Sequence, residues 1–521
     1  MAQQIYTTNQ DPEDFASLYD LIGVHPEYHN HYQRWQFLYN SYMGGHQFRM
    51  GKYLTRYVYE SESEYVQRLV TTPLDNHAKA ITHTMNSFLF RQKPERDFAN
   101  IKNNPELEPF LKDADLDGRS WDAFMAEVNI HSTIAGHCCV LLDRPQSNAG
   151  TKAEELAQGI RTYATLFTAP NILDWQFERL PSGHYQLSYL KLLEVEQRAY
   201  GQVSDYFVRT YTKEDITLEK YSPTKRDGGQ EVLSIIPNEL GKIPAVFVYD
   251  QRSPVKGIGV SFIGDICDAQ AYIANQTTEV EQLIRLQNHP SLVKTSDTEA
   301  SAGAGAIITM PPELDGNLKP YLLQPNSQSI DGILKSIQAT IDSIDRMAHM
   351  GALRAIETRQ MSGAAMVAEF TLLNSKLSEK AKQMELAEEQ IWRLWAEWQG
   401  LTFDGNIMYP NTFHIRDKSM DMDLLEKAAR TQPSDPLVKK AIDRKILEII
   451  MDEDEIEALE NEEGEAVELE HPTTTATDRS PHIQQMIMDG YTDQQMLDLH
   501  PEITQADIDQ AKQDLLDQNN Q

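Results

Sequence analysis

Three histidines near the start, His25, His29 and His31, are of a type able to bind a metal or move a proton. A zinc site needs further donors at matching spacing, and no cysteine or carboxylate constellation accompanies them. "HNH" at His29 to His31 is contiguous, whereas the nuclease fold of that spelling spreads its three residues widely over a ββα unit. The three cysteines, Cys138, Cys139 and Cys267, make no disulfide framework, and an adjacent pair cannot bridge without strain. The apolar Val140-Leu141-Leu142 that follows reads as a buried strand, not the setting of a reactive thiol. The glycines Gly303 and Gly305 lack the Lys-Ser/Thr of a phosphate loop and open no helical pattern. No Ser-His-Asp, HExxH or kinase pattern occurs. The expectation is a chain without catalytic residues, metal or cofactor.

A different kind of chemistry is offered by "RAIETRQMSGAAMVAEF", Arg354 to Phe370. Two arginines and a Met-Ser-Gly interrupt long helical patterns, and Ser362 is placed to cap the helix that follows, with Gly363, Ala364 and Ala365 leaving little bulk in its first turn. Such a loop projects its side chains from a defined place. On one side of it, 328–350 carries Ile330, Leu334, Ile337, Ile341 and Ile344, a heptad seam that keeps one face against a partner over roughly 35 Å. On the other, 363–399 places Met366, Phe370, Leu373, Leu377, Ala381, Met384, Ile391, Trp395 and Trp398 on one side.

The rest of the chain must hold these helices. Pro26 to Tyr42 reads as an amphipathic helix stopped at Gly44-Gly45, and a second helix through 61–90 breaks near Pro73. An apolar run from Thr133 to Pro145 predicts a buried strand, followed by strands in "RTYATLFTAPNILDWQFE", "YQLSYLKLLEVE", "YFVRTYT", "ITLEKYS" and "KIPAVFVYD". The pattern turns helical over 260–288. Pro, Gly and short apolar runs then mark a small β-containing insert before the seam helix. The fold class is therefore α+β.

With 521 residues and 40% hydrophobic content the chain is long enough for about three domains and sizeable cores. It has no apolar run of about 18 residues and no basic, then apolar, leader, so neither a membrane span nor a signal peptide is expected. The formal charge is −32, and 401–521 supplies −18 of it, from 28 acidic and 10 basic residues. Asp452 to Glu470 alone holds 11 carboxylates in 19 residues and reads as a solvated helix end or linker. Beyond it, Thr492 with Gln495 and Thr504 with Asp507 have the spacing of two capped helices. So acidic a chain is ill suited to wrap nucleic acid, whose affinity comes mostly from Lys and Arg.

Taken in order, these segments resemble tailed-bacteriophage portal proteins over roughly 25–463. "PEYHNHYQRW", "KYLTRYVYESESEYVQR", "IAGHCCVLLDRP", "YATLFTAPNILDW", "ELGKIPAVFVY", "HPSLV", "AIITMPPE", "MAHMGAL" and "MSGAAMVAEFTLLNSKLSEKAKQMELAEEQIWRLW" follow one another as the family's segments do. The insert is short for the family, and 472–521 has no counterpart in it. The resemblance implies a portal-type fold: an α/β wing (1–258), a first stem helix (259–288), a clip (289–327), a second stem helix (328–350), a tunnel loop (351–362), a long wing helix (363–400), and an acidic helical crown and tail (401–521). It implies Leu292, Val293, Ile307, Ile308, Pro311 and Pro312 in the clip, and Arg354, Arg359, Gln360, Met361 and Ser362 in the tunnel loop. It also implies a homo-oligomeric ring, usually of twelve, at one capsid vertex, assembled in the host bacterial cytoplasm. Double-stranded DNA would pass through it. Terminase, a head–tail adaptor, the major capsid protein and scaffold would be its partners. An acidic conduit fits a polyanion that must pass without sticking. Another head–tail connector component or a scaffold protein would share the acidity and the helices but not their order, and a metal-dependent nuclease or hydrolase would need the histidines and carboxylates to converge.

Overall fold

The computed structural model describes residues 22–58, 60–145, 150–151, 154–155, 158–195, 205–222, 230–288, 291–293, 321–323, 327–350, 363–411 and 413, with single positions in the tail. The chain divides into two compact units, Met1–His414 and Ile415–Gln521. Among the described residues the protein is a mixed α+β structure with nine α-helices and several small antiparallel sheets.

At the centre of the first unit is β2 (His137–Asp143), between β3 (Tyr163–Thr168) and β9 (Ala245–Tyr249) in an antiparallel sheet of order β3-β2-β9. Successive residues of a strand face opposite ways, so β2 divides its side chains between two cores. Cys139 and Leu141 join one apolar cluster, and Cys138, Val140 and Leu142 join the other. The first cluster also takes residues of α1 (Pro26–Met43) and of a five-stranded meander. That meander runs β4 (Ile172–Arg179), β5 (Tyr185–Val195), β6 (Tyr206–Tyr211), β7 (Asp215–Tyr221) and β8 (Glu231–Pro237) in sequence order. The second cluster is aromatic: Phe110, Trp121, Phe124, Trp392 and Trp395 are fully buried, and Trp121 meets Trp392 edge-on at 5.2 Å.

The helix expected to break near Pro73 is indeed broken there, into α3 (Glu62–Thr71) and α4 (His77–Leu89), with Pro73 in the gap between them. Ser61 starts α3 with a complete capping box to Glu64. The helix ahead of them ends at Met43, with Gly44 at φ 66°, but α2 (Gly45–Met50) resumes at once, so the glycine pair is a corner and not a stop. Among the elements not expected, two are large. One is β8. The other is α6 (Trp121–Ala135), capped by Ser120 and ended by Gly136 at φ 88°. The expected strand at Thr133 therefore begins only at His137: Thr133 to Ala135 are the last turn of α6, and the left-handed Gly136 makes the reversal between them.

The junction of α6 and β2 buries two imidazoles. Burial, with repulsion from His31, holds the His137 pKa at about 3, and burial, with the Arg119 guanidinium, holds that of His131 at about 4. Unfolded histidine titrates near 6.5. Both folded values are depressed, so stability is at its full value above that pH and falls as the unfolded chain takes up protons the folded chain refuses. From pH 7 to pH 5 each histidine should remove about 2 kcal/mol. Urea titrations at the two pH values test this: a flat unfolding free energy contradicts it, and His131→Phe should flatten part of the slope.

Candidate assembly site

Two long helices and the strands between them form the most distinctive part of the first unit. The first, α7 (Gly264–Asn288), and the second, α8 (Ser327–Ala348), pack side by side, with Tyr272 Oη and Ser336 Oγ 3.1 Å apart. The segment between them contributes β12 (Ser291–Val293) and β13 (Tyr321–Leu323), paired antiparallel with Leu292 opposite Leu322. The expected first stem helix thus starts at Gly264, five residues later than read from sequence, because Gly259 and Val260 form β11 against β10 (Gln251–Arg252).

The root of α7 is held by contacts too close for a side chain. A Cβ on Gly136 would lie 2.5 Å from the carbonyl carbon and oxygen of Gly259. The Gly259 N–H donates to His137 Nδ1 at 3.3 Å, and Ser261 Oγ donates to the Ile134 carbonyl at 2.6 Å. Just upstream, the Trp175 indole N–H donates to the Lys256 carbonyl at 2.9 Å. Within α7, Asp268 accepts both ends of the Arg34 fork at 2.6 and 2.8 Å. Gln270 is fully buried and bridges two helices, accepting from the Ala78 N–H at the start of α4 and donating to the Ser41 carbonyl near the end of α1. None of these holds was foreseen. The only sequence signals were Gly136 and Gly259 themselves, and their meeting joins positions more than a hundred residues apart.

The heptad seam is unevenly buried. Ile344 is fully buried in the first core, Ile337 and Ile341 pack against that core partly buried, Ile330 is half-buried, and Leu334 is 48% exposed. Val293 in the strand pair is 36% exposed and Ile284 near the end of α7 is 43% exposed. Of the other residues expected in a clip, Leu292 lies in β12, while Ile307, Ile308, Pro311 and Pro312 fall outside the described residues. So do Arg354, Arg359, Gln360, Met361 and Ser362. After them, α9 (Gly363–Trp398) runs back along β9 and β2, burying Leu373, Leu377, Ala381, Met384, Ile391 and Trp395. The two helices α7 and α8 carry seven carboxylates (Asp265, Asp268, Glu279, Glu281, Asp331, Asp342, Asp345) against Arg285, Lys335 and Arg346, a net formal charge of −4.

Of the early histidines, His25 and His31 have structural partners, and His29 is exposed. His25 Nδ1 accepts the Glu27 N–H at 3.1 Å, capping α1, while its ring stacks on Trp175 at 4.2 Å, and His31 contacts Glu27 one turn away. Among the described residues no group of three or more His, Cys, Asp or Glu is arranged to hold a metal ion. All three cysteines are buried, and burial pushes the Cys267 thiol up to about 12. No helix among the described residues is long and apolar enough to cross a membrane.

In the second unit the described residues are six helical positions, Ile487, Asp493, Gln505, Ile508, Asp509 and Lys512. Ile508 is fully buried and Lys512 pairs with Asp493 at 2.5 and 2.7 Å. The acidic run 452–470 and the cap residues Thr492, Gln495, Thr504 and Asp507 lie outside them. No protein-family model matches the sequence, and no curated protein matches it.

Proposed function

We propose that the protein is a portal subunit of a tailed bacteriophage, closing with further copies into a ring at one capsid vertex through which double-stranded DNA is packaged and ejected. The observation that carries this reading is the uneven burial of the α8 seam. Its base is a core element of one subunit, yet the same heptad continues outward to Leu334, which one chain leaves half-exposed. A seam that continues past its own core fits a neighbour that completes it. The order helix, β-containing insert, helix, interruption, long returning helix supports the same reading, with 1–258 and 363–400 as wing, α7 and α8 as stem, 289–327 as clip, 351–362 as tunnel loop and 401–521 as crown and tail. The net negative charge of the helix pair suits a wall past which a polyanion slides. The clip would dock terminase and then the head–tail adaptor, the wing would meet the capsid protein and scaffold, and Arg354 and Arg359 would brush the DNA. No step in this role is catalytic. The mature location would be the virion.

Leu334 is the cleanest probe, because Ile337 and Ile344 serve the subunit's own core. Burying one such aliphatic contributes about 1.5–3 kcal/mol, repeated at every contact of a ring. Leu334→Asp should leave the far-ultraviolet circular dichroism and thermal midpoint of the subunit unchanged while sedimentation velocity shows rings lost to monomers or irregular oligomers. Parent-like rings from this variant would refute the seam.

A further inference from the structure

Midway along α7 a second hold has nothing to do with its root. The Arg68 side chain, on α3, is buried with Glu60, each about 4% exposed. Its Nε donates to Glu60 Oε1 and its Nη2 to Glu60 Oε2, both at 2.8 Å; Nη2 also reaches the Thr55 carbonyl at 2.6 Å, and Nη1 donates to Thr278 Oγ1 on α7 at 3.1 Å. The guanidinium lies 4.3 Å from the Tyr57 ring centroid and 5.6 Å from that of Tyr65. Around it, the Thr55 N–H donates to Asn275 Oδ1 at 2.8 Å, and Leu54, Tyr65 and Leu69 pack on Ala274. Ala274 and Asn275 lie one turn before Thr278 on α7, four and three residues from it, and so fall on its side of the helix.

We propose that Arg68 is a positioning residue of the assembly site: it clamps the segment before α3 onto α7 and so fixes the direction in which the helix pair leaves the body. The inference rests on the ring reading above. Thr278 lies about 21 Å along the helix from Gly264, at 1.5 Å per residue. One hold at the root lets a rod pivot, whereas a second at that distance fixes its angle. Closed symmetry makes the angle matter, because twelve-fold and thirteen-fold rings of identical contacts differ by roughly 2° of rotation per subunit.

A buried ion pair alone is a poor source of stability, and a pair of apolar side chains of similar size often does as well. What apolar residues cannot supply is the fork, which joins Glu60, the Thr55 carbonyl and Thr278 in one plane. This separates positioning from folding. Arg68→Met strands the Glu60 carboxylate and should lower the thermal midpoint. Arg68→Met with Glu60→Leu removes both charges and should restore the midpoint, yet take away the guanidinium's tie to Thr278 and leave α7 held there only by the Thr55–Asn275 bond and the apolar packing on Ala274.

The test compares full-length parent, the double variant and Thr278→Val by hydrogen exchange over 272–283 and by native mass spectrometry of the assemblies. The double variant should exchange at least tenfold faster in that stretch and give a mixture of ring sizes where the parent gives one, with Thr278→Val between them. Parent-like exchange and a single ring size in the double variant would overturn the clamp. If the parent itself forms no ring while the double variant still exchanges faster over 272–283, the clamp stands and the ring reading fails.

Discussion

Glu388→Ala should lower the unfolding free energy of the first unit by about 3–5 kcal/mol, the cost of leaving a buried charge without its partner. Glu388 is fully buried on α9 and is saturated with donors. Its Oε1 accepts from Arg96 Nε at 2.6 Å, the Trp121 indole at 2.7 Å and the Trp392 indole at 3.0 Å, and its Oε2 accepts from the Tyr409 hydroxyl. Removing the carboxylate therefore orphans two indoles and a phenol in the most aromatic part of the protein and leaves Arg96, itself nearly buried, with only the rim carboxylate of Asp122. Burial opposes the Arg96 charge, but Glu388 outweighs it and holds the guanidinium pKa above its usual value. Glu388→Gln should recover only part of the loss, since an amide presents one acceptor oxygen where the site needs two. Urea unfolding followed by tryptophan fluorescence measures both variants. A loss below about 1 kcal/mol for the alanine variant, the scale of an ordinary exposed ion pair, would show that the hub is not formed.

Gly136→Ala should be among the most damaging single methyl groups in the first unit. Its φ of 88° costs an L-residue about 1–2 kcal/mol. The new Cβ would also press on the backbone of Gly259 and Val260, at 2.5 to 2.6 Å, which no rotamer change can relieve, adding an overpacking cost of about 1–3 kcal/mol. Gly118 supplies the control, for it shares a φ of 88° but has nothing within 4 Å of its would-be Cβ. Gly118→Ala should show the conformational part alone, and Gly136→Ala clearly more. Equal losses in the two variants would mean that the close approach of Gly136 to Gly259 at the root of α7 is not made.

Periodicity made much of this fold legible. The strands β2 to β7 and β9 and the helices α1, α7, α8 and α9 all lie where alternation, apolar runs or the heptad placed them, because each buries a face or a whole strand that its spacing announces. The helix α6 escaped for the opposite reason: Trp121, Phe124, Met125, Val128, Asn129, His131, Ser132 and Ile134 bury most of its circumference, and the less buried face mixes Ala123, Ala126 and Ile130 with Asp122 and Glu127, so no clear polar face marks its period. Its ends were nonetheless written in Ser120 and Gly136. Strand β8 escaped because it is an edge strand whose Val232, Leu233 and Ile235 remain exposed. The holds on α7 and the Glu388 hub were not legible at all, since Arg68 reaches Thr278, and Arg96 and Trp121 reach Glu388, across more than two hundred residues of chain. For the site itself, spacing alone suggested the seam residues, and the structure added which of them the subunit keeps for itself.

Ring formation is the central claim, and end-on particle images of the purified full-length protein test it most directly. Negative-stain class averages should show closed rings of one subunit number around a central hole wide enough for duplex DNA, about 20 Å or more, stable at moderate salt because the seam contact is apolar. A population of compact monomers, or open filaments without closure, at the same protein concentrations would contradict the portal assignment and leave the helix pair as an internal element of another kind of phage or cellular protein.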